Sequence, residues 1–423
     1  MKKLSEMSRE EIIAFKNEAQ SRYDDFKNRG LKIDMSRGKP APQQLELSNM
    51  LYDSIDKDNY KASDGLDCRN YGVLAGIKEC RELFGELFDM PAENVIIGGT
   101  ASLQLMFDFI SQCYSKGIGS TPWCKLDKVK FIAVVPGYDR HFGIAEYFGI
   151  EMINVPMLSD GPDMDKVEEL IKDPCVKGMF CVPKYSNPDG ITYSKEVCDR
   201  LAKMKPAAED FRVVWDNAYC IHDLYAETDY LPNIIKEAEK YGNEDHFVMF
   251  ASTSKVTFPG AGISAVCASD NNVKMILNRM NYQIISNDKM NQLRHCRVFK
   301  NLDDLKAHMK KHAEILRPKF ETVLNILDEE LGGLGIASWH KPNGGYFISL
   351  NVDEGSASYV GKLCKEAGLT LTTVGATFPY GKDPDDRNIR IAPSFPSIDD
   401  LKLCAELLCI GVKLAAADEL LNK

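Results

Sequence analysis

Between Asn94 and Ser269 the chain alternates short apolar runs with longer, more polar stretches, and this alternation limits the fold more than any other feature of its 423 residues. The runs are Asn94–Gly99, Lys130–Pro136, Glu151–Pro156, Lys177–Pro183, Phe211–Ala218, His246–Ser252 and Ile263–Ser269. Short apolar runs that stop at Gly, Pro, Asp or Ser predict strands buried on both faces. Strands of that kind separated by helical stretches predict an α/β fold, a largely parallel sheet wrapped by helices.

The flanks read differently. Ser8 to Arg29 carries Ile12, Ile13, Phe15 and Phe26 at helical spacing among charges, which predicts an exposed amphipathic helix ahead of the loop Ser36-Arg37-Gly38-Lys39-Pro40. Past Lys300 the spacing predicts a long charged helix from about Asp303 to Leu331, broken by Gly332, Gly333 and Gly335. A strand around Tyr346–Leu350, a helix near Ser358–Ala367 and a closing helix Ile398–Leu421 complete a second, smaller α+β unit. No repeat, low-complexity segment or Pro/Gly-rich linker separates the two parts, so they should touch closely.

Composition narrows the function. The chain is 44% hydrophobic and 27% charged, the balance of a globular protein with a sizeable core. A formal net charge of −10 disfavours nucleic acid and anionic membrane surfaces as partners, so an anionic ligand needs a local site. The 13 cysteines form no CxxC pair and do not alternate with histidine at metal-ligand spacing, so no metal is expected and reduced thiols are. No apolar run resembles a signal peptide or a membrane span, which predicts a cytoplasmic location.

Five places at strand ends carry candidate chemistry. Ser252-Thr253-Ser254-Lys255 finishes one run, and its lysine is either a solvated strand end or an amine kept nucleophilic by partial burial, with hydroxyls beside it for a phosphate. Asp216 follows directly on Val213-Val214-Trp215, where a carboxylate is costly unless paired. It either caps a following helix or binds a protonated ring nitrogen. Asn187-Pro188-Asp189-Gly190 has the residues of a β-turn. Gly98-Gly99-Thr100-Ala101-Ser102 lies between strand and helix, where free amides suit a phosphate. Pro136-Gly137-Tyr138 offers a ring that stacks on a flat heterocycle or packs in the core.

Taken in chain order, these features resemble the class I and II aminotransferases of the fold type I pyridoxal-phosphate enzymes, over about Met35 to Ser394. The resemblance implies a large cofactor-binding domain at 48–310, with 1–47 and 311–423 as the N-terminal and C-terminal parts of a small domain. It implies that Lys255 binds the aldehyde of pyridoxal 5'-phosphate and shuttles the proton, and that Asp216 pairs with the pyridine nitrogen. Asn187 and Tyr219 would bond the ring hydroxyl, and Tyr138 would stack on the ring. Gly99, Thr100, Ala101, Ser102, Ser252 and Ser254 would surround the phosphate. Tyr71, in Tyr71-Gly72-Val73-Leu74-Ala75-Gly76, resembles the family tyrosine that reaches the neighbouring subunit's phosphate, which implies a homodimer with composite sites. Arg390, in Asn388-Ile389-Arg390-Ile391-Ala392, matches the arginine that grips the substrate α-carboxylate bidentately.

Two departures mark this chain. Where the family has an arginine on the phosphate, the sequence reads Pro259-Gly260-Ala261-Gly262. No arginine matches the one that reads a distal carboxylate; that region is Asn281-Tyr282-Gln283, with Lys289, Arg294 and Arg297 only further on. These traits resemble a divergent bacterial branch, aspartate aminotransferase-like or alanine-glyoxylate aminotransferase-like. Arg37, beside Gly38 in the loop that covers the substrate in that family, is the expected replacement for the distal contact. Its alternatives are a surface ion pair or the cofactor phosphate. The expected activity is transfer of an amino group from aspartate or glutamate to a 2-oxo acid such as 2-oxoglutarate. The alternatives are an alanine-preferring aminotransferase, or a carbon–sulfur lyase or decarboxylase on the same fold. A ligand-sensing regulator would need a DNA-binding domain ahead of the loop, and no basic winged-helix pattern stands there.

Overall fold

The computed structural model describes residues 2–422. All seven runs are strands of one eight-stranded sheet: β1 (Val95–Ile97), β2 (Lys130–Val135), β3 (Glu151–Leu158), β4 (Gly161–Pro162), β5 (Val176–Cys181), β6 (Arg212–Asp216), β7 (Phe247–Ser252) and β8 (Ser264–Ala268). Their spatial order is β1-β8-β7-β6-β5-β2-β3-β4. The pairs β7·β6, β6·β5, β5·β2 and β2·β3 are parallel, whereas β8 runs antiparallel to both neighbours and β4 antiparallel to β3.

The alternation of side chains along each strand builds two cores. From β6 and β7, Val213, Trp215, Phe247 and Met249 enter one buried cluster, and Val214, Val248 and Phe250 enter another on the opposite face. Burial on both faces therefore holds for the central strands. It fails for β3, where Glu151, Asn154 and Leu158 are exposed, because only the two-residue β4 shields that edge.

A third core joins the two ends of the chain. The helix Arg9–Asn28 starts with a capping box of Ser8 and Glu11 and buries Ile12, Ala19, Tyr23 and Phe26. Ile13 stands 42% exposed, contrary to the expected apolar face, because one residue advances the helix by about 100° and turns it away from Ile12. The helices Leu302–Leu331 and Ile398–Asn422 pack with it. The long helix spans two cores: Leu305 and Met309 pack in the first, and Leu316, Phe320 and Val323 in the third. The strands β9 (Ala337–Trp339), β10 (Ile348–Val352) and β11 (Asn388–Ile391) form a small antiparallel sheet against this core. Among the described residues no helix is long and apolar enough to cross a membrane.

One ion-pair cluster pins the three long helices together. Glu330 accepts two hydrogen bonds of 2.9 Å from the Arg22 guanidinium and a third from Lys413. The Arg22 contact, assisted by Lys413, holds the Glu330 carboxyl at about 2, below its ordinary value of 4.5. A depressed carboxyl stabilises the fold above the ordinary value and loses that contribution as pH falls through the depressed one. Glu330→Gln is therefore expected to lower unfolding stability more at pH 7 than at pH 3, measured by urea denaturation. An equal loss at both values would show that the charge contributes nothing.

Candidate active site

Parallel strands bring their carboxyl ends to one edge of a sheet, where ligands bind in folds of this class. There the candidate residues meet. Asp216 ends β6 and pairs in register with Phe250 of β7, two residues before Ser252 ends that strand and five before Lys255. A cavity of about 190 Å³ opens at this edge. From the expected set, Asp216, Tyr219, Asn187, Tyr138, Lys255, Ala101, Ser102, Ser252 and Ser254 line it. Leu103, Met106 and Val182 add apolar walls that sequence reading did not single out. A larger cavity of about 710 Å³ lies between the 223–233 segment and the helix Leu302–Leu331. Its lining mixes charges of both signs, and neither Lys255, Asp216 nor Tyr219 reaches it.

Asp216 is 2% exposed. Its Oδ2 lies 3.1 Å from Nε2 of His141, while its buried Oδ1 has no hydrogen-bond partner among the described residues. A buried carboxylate oxygen left unpaired costs free energy, so the geometry calls for a donor from a ligand. The helix-cap alternative fails, because turns follow Asp216 and the next helix, Ile234–Glu239, is capped by Asn233. His141 was missed by sequence reading. It lies one helical turn past Tyr138, stacked on Phe180 with ring centroids 5.0 Å apart, and the Tyr-x-x-His spacing at a helix start was its only signal.

The Lys255 ammonium sits 4.7 Å from the Tyr219 ring centroid in a half-buried turn. Burial pushes the Tyr138 phenol up to about 12 and the Tyr219 phenol higher, the Asp216 charge adding to the latter. Both therefore stay protonated at neutral pH as donors. Ser252 Oγ donates to Ser254 Oγ (3.1 Å), which donates to Thr100 O (3.2 Å). Gly99 O accepts from Ser264 N and Oγ, which ties the turn to β8. The helix Ser102–Ser115 begins at Ala101 with no side-chain cap, so its first amides face the cavity mouth as an anion site.

Arg390 lies 8% exposed on β11. Its Nη1 donates to Asp139 Oδ1 and Asn187 Oδ1, both at 3.2 Å, its Nε donates to Thr372 Oγ1 at 3.3 Å, and its guanidinium stacks on Phe347. The Asn187 turn is wider than the expected β-turn: it closes from Gly190 N to Ser186 O at 2.7 Å, spanning one residue more, with a cis Asn187–Pro188 bond. Gly38 packs on Phe347 so tightly that a Cβ would lie 2.5 Å from the ring. Arg37 beside it is exposed and lines none of these cavities, and Tyr71 is 77% exposed and does not line the cavity either. At Gly262, Asn291 Nδ2 donates to Gly262 O (2.8 Å) and Arg294 Nη2 to Ala261 O (3.1 Å), so the backbone of this turn is held from the helix Lys289–Val298.

The arrangement fits a flat aromatic ring carrying a protonated nitrogen and a phosphate. Asp216 Oδ1 can accept from a ring nitrogen, the uncapped start of the helix Ser102–Ser115 offers amides to an anion, and Tyr138 and Lys255 line the same cavity.

Comparison with known proteins agrees. A family model described as aspartate amino-transferase matches residues 7–423. The chain is 45% identical over 421 residues to an aspartate aminotransferase of Corynebacterium glutamicum, covering 99% of this chain and 98% of that one. A crystal structure of an aspartate transaminase from the same species superposes with a TM-score of 0.97 at 46% identity, covering 99% of both chains. An α-aminoadipate aminotransferase of Thermus thermophilus, in complex with N-(5'-phosphopyridoxyl)-L-leucine, shares the fold with a TM-score of 0.74 at 20% identity, covering 92% of this chain and 93% of that one.

Because Asp216 is a buried carboxyl group with one oxygen unpaired, it should contribute little to the bare fold. Asp216→Asn is expected to leave the melting midpoint of the ligand-free protein within about 4 °C of wild type or to raise it, a change of roughly 1 kcal/mol or less. A fall well beyond that in a thermal scan would make the carboxylate a structural group.

Proposed function

This chain belongs to the aspartate amino-transferase family and is a pyridoxal-phosphate-dependent aminotransferase, and from that premise we propose that it moves the amino group of aspartate or glutamate to a 2-oxo acid such as 2-oxoglutarate. The observation that carries the site assignment is the unpaired Asp216 Oδ1, in one cavity with Lys255 and one hydrogen bond away from Arg390 through Asn187. Bound pyridoxal phosphate supplies the aldehyde that takes the amino group and the protonated ring that draws electrons from the substrate α-carbon. The carbon–sulfur lyase and decarboxylase alternatives give way to the family assignment.

The roles follow from what each group offers. Asp216 Oδ1 accepts the ring N–H, and His141 holds the carboxylate in that orientation. Tyr219 Oη and Asn187 Nδ2 bond the ring hydroxyl; Asn187 Oδ1 already belongs to Arg390, which fixes the amide's orientation. Tyr138 stacks on the ring. The amides and hydroxyls of Gly99–Ser102, Ser252 and Ser254 receive the phosphate. Arg390 exchanges Asp139 for the substrate α-carboxylate, since both compete for the same fork of donors. Lys255 Nζ would be the base that takes the substrate α-proton and holds it for return, and general-base action of this type contributes about 10²–10⁴ in rate. The exposed Tyr71 completes the phosphate site of a second copy, giving a homodimer with composite sites. We assign 48–310 to cofactor binding, with 1–47 and 311–423 as a small domain. Thirteen free cysteines favour a cytoplasmic location.

Two variants test these assignments. Lys255→Ala is expected to fold, to lose the visible absorbance of lysine-bound cofactor and to lose turnover. Near-wild-type turnover in that variant would overturn the lysine assignment.

The dicarboxylate preference rests on the relative's activity and on Arg37, which acts electrostatically on Asp34, a carboxylate already held by Ser36. Arg37→Ala should raise the Michaelis constant for aspartate about ten- to hundred-fold, the worth of one charge-assisted contact, and leave that for alanine nearly unchanged. Equal loss on both substrates with weaker cofactor retention would move Arg37 to the phosphate.

A further inference from the structure

The turn that presents Lys255 is held from behind by a chain of buried polar groups that the site chemistry does not use. Gln44 is fully buried in the short helix Pro42–Glu46, just beyond the substrate loop. Its Oε1 accepts from Ala41 N at 3.0 Å, which commits the carboxamide nitrogen to donate elsewhere. That nitrogen donates to Tyr346 Oη at 3.0 Å and lies 3.1 Å from Nδ1 of His312. One continuous donor–acceptor route then leads to the lysine turn, because Tyr346 Oη accepts from Gln44 and donates to Lys255 O at 3.4 Å. His308 Nε2 donates to Val256 O at 2.8 Å and so cannot also accept from His312 Nε2 at 3.1 Å, which leaves the histidine pair packed beside the route rather than part of it.

The substrate loop ahead of Gln44 is tethered as firmly. Ser36 O accepts from Thr372 Oγ1 (2.7 Å), the hydroxyl that Arg390 Nε also contacts. Lys39 O accepts from Ser394 Oγ (2.9 Å), and Ser394 O is gripped at 2.7 Å by the buried ammonium of Lys319. A loop fixed to the substrate-binding arginine at one end therefore continues into a helix bonded to the lysine turn at the other. A buried amide whose donors all find partners is an orientational constraint, because any shift of one end strands a polar group without water. Burial lowers both histidines packed beside it, His312 to about 3, and the Gln44–Tyr346 link itself consists of uncharged groups.

We propose that Gln44 is a positioning residue that locks the turn presenting Lys255 to the segment carrying the substrate loop, through Tyr346. The proposal rests on Lys255 being the cofactor lysine. Substrate seated against the loop and Arg390 then finds the amine already aimed, and motion at either end is felt at the other, as coupling between two sites must be reciprocal.

Tyr346→Phe removes a single oxygen, and Gln44→Met removes both donors at similar volume. Each is expected to slow the single-turnover reaction of the holoenzyme with aspartate about three- to tenfold, the worth of one hydrogen bond, with little change in the Michaelis constants for aspartate and alanine. The double variant should be no slower than Gln44→Met alone, because both changes cut the same route. In cofactor-free protein, amide exchange at Ser254–Thr257 should accelerate in Gln44→Met, and exchange at Lys39 and Gln44 should accelerate in Tyr346→Phe. Multiplicative rate losses, or unchanged exchange at the far end of either variant, would overturn the coupling. Unchanged rates in both variants alongside an inactive Lys255→Ala would overturn the positioning role alone, whereas an active Lys255→Ala would take both readings down.

Discussion

The site depends on one buried carboxylate at the end of the central strand. Asp216 is placed there by the pleat of β6, and its burial demands partners on both oxygens. His141 meets one of them, from a helix that starts directly after Tyr138. The same short segment supplies Asp139, which pairs with Arg390, and Gly137 N donates to Thr377 O of the C-terminal part. Four residues thus place the Tyr138 ring in the cavity, hold the Asp216 carboxylate and reach across to Arg390, so a displacement of the loop after β2 would disturb all three contacts together.

Arg390 illustrates how a charge survives burial. One carboxylate oxygen, one amide oxygen, one hydroxyl and one aromatic face share its fork. Asp139, its carboxylate partner, is 35% exposed, so that ion pair is partly screened by water. The N-terminal segment joins this assembly because Ile33–Asp34 pairs in parallel with Leu369–Thr370, which brings Ser36 beside Thr372 and Gly38 onto Phe347. Only a glycine admits that ring contact, so the loop closes over the small sheet without a gap.

The seven main strands were legible because burial on two faces writes a continuous apolar run. The two-residue β4, the exposed positions of β3 and the strand β9 were not, since edge strands carry no such signature. The long helix was read to within a residue, Asp303–Leu331 against Leu302–Leu331, because its charges and apolar stripe share one period. Ile13 was misjudged because apolar character alone does not say which of two adjacent positions faces the core.

By itself, the sequence determined the order of strands, the residues that end them and therefore the set of groups that meet at one sheet edge, since strand-end positions are local and parallel pairing collects them. What it could not determine were the partners drawn from elements far apart in the chain. His141 on Asp216, Phe347 under Gly38 and Gln44 behind Lys255 each sit in ordinary helical or loop patterns, where a polar or aromatic residue has no local signature of its use. Those contacts exist only once the sheet, the long helix and the two chain ends are packed together, because a buried polar group acquires its partner from whichever surface closes over it.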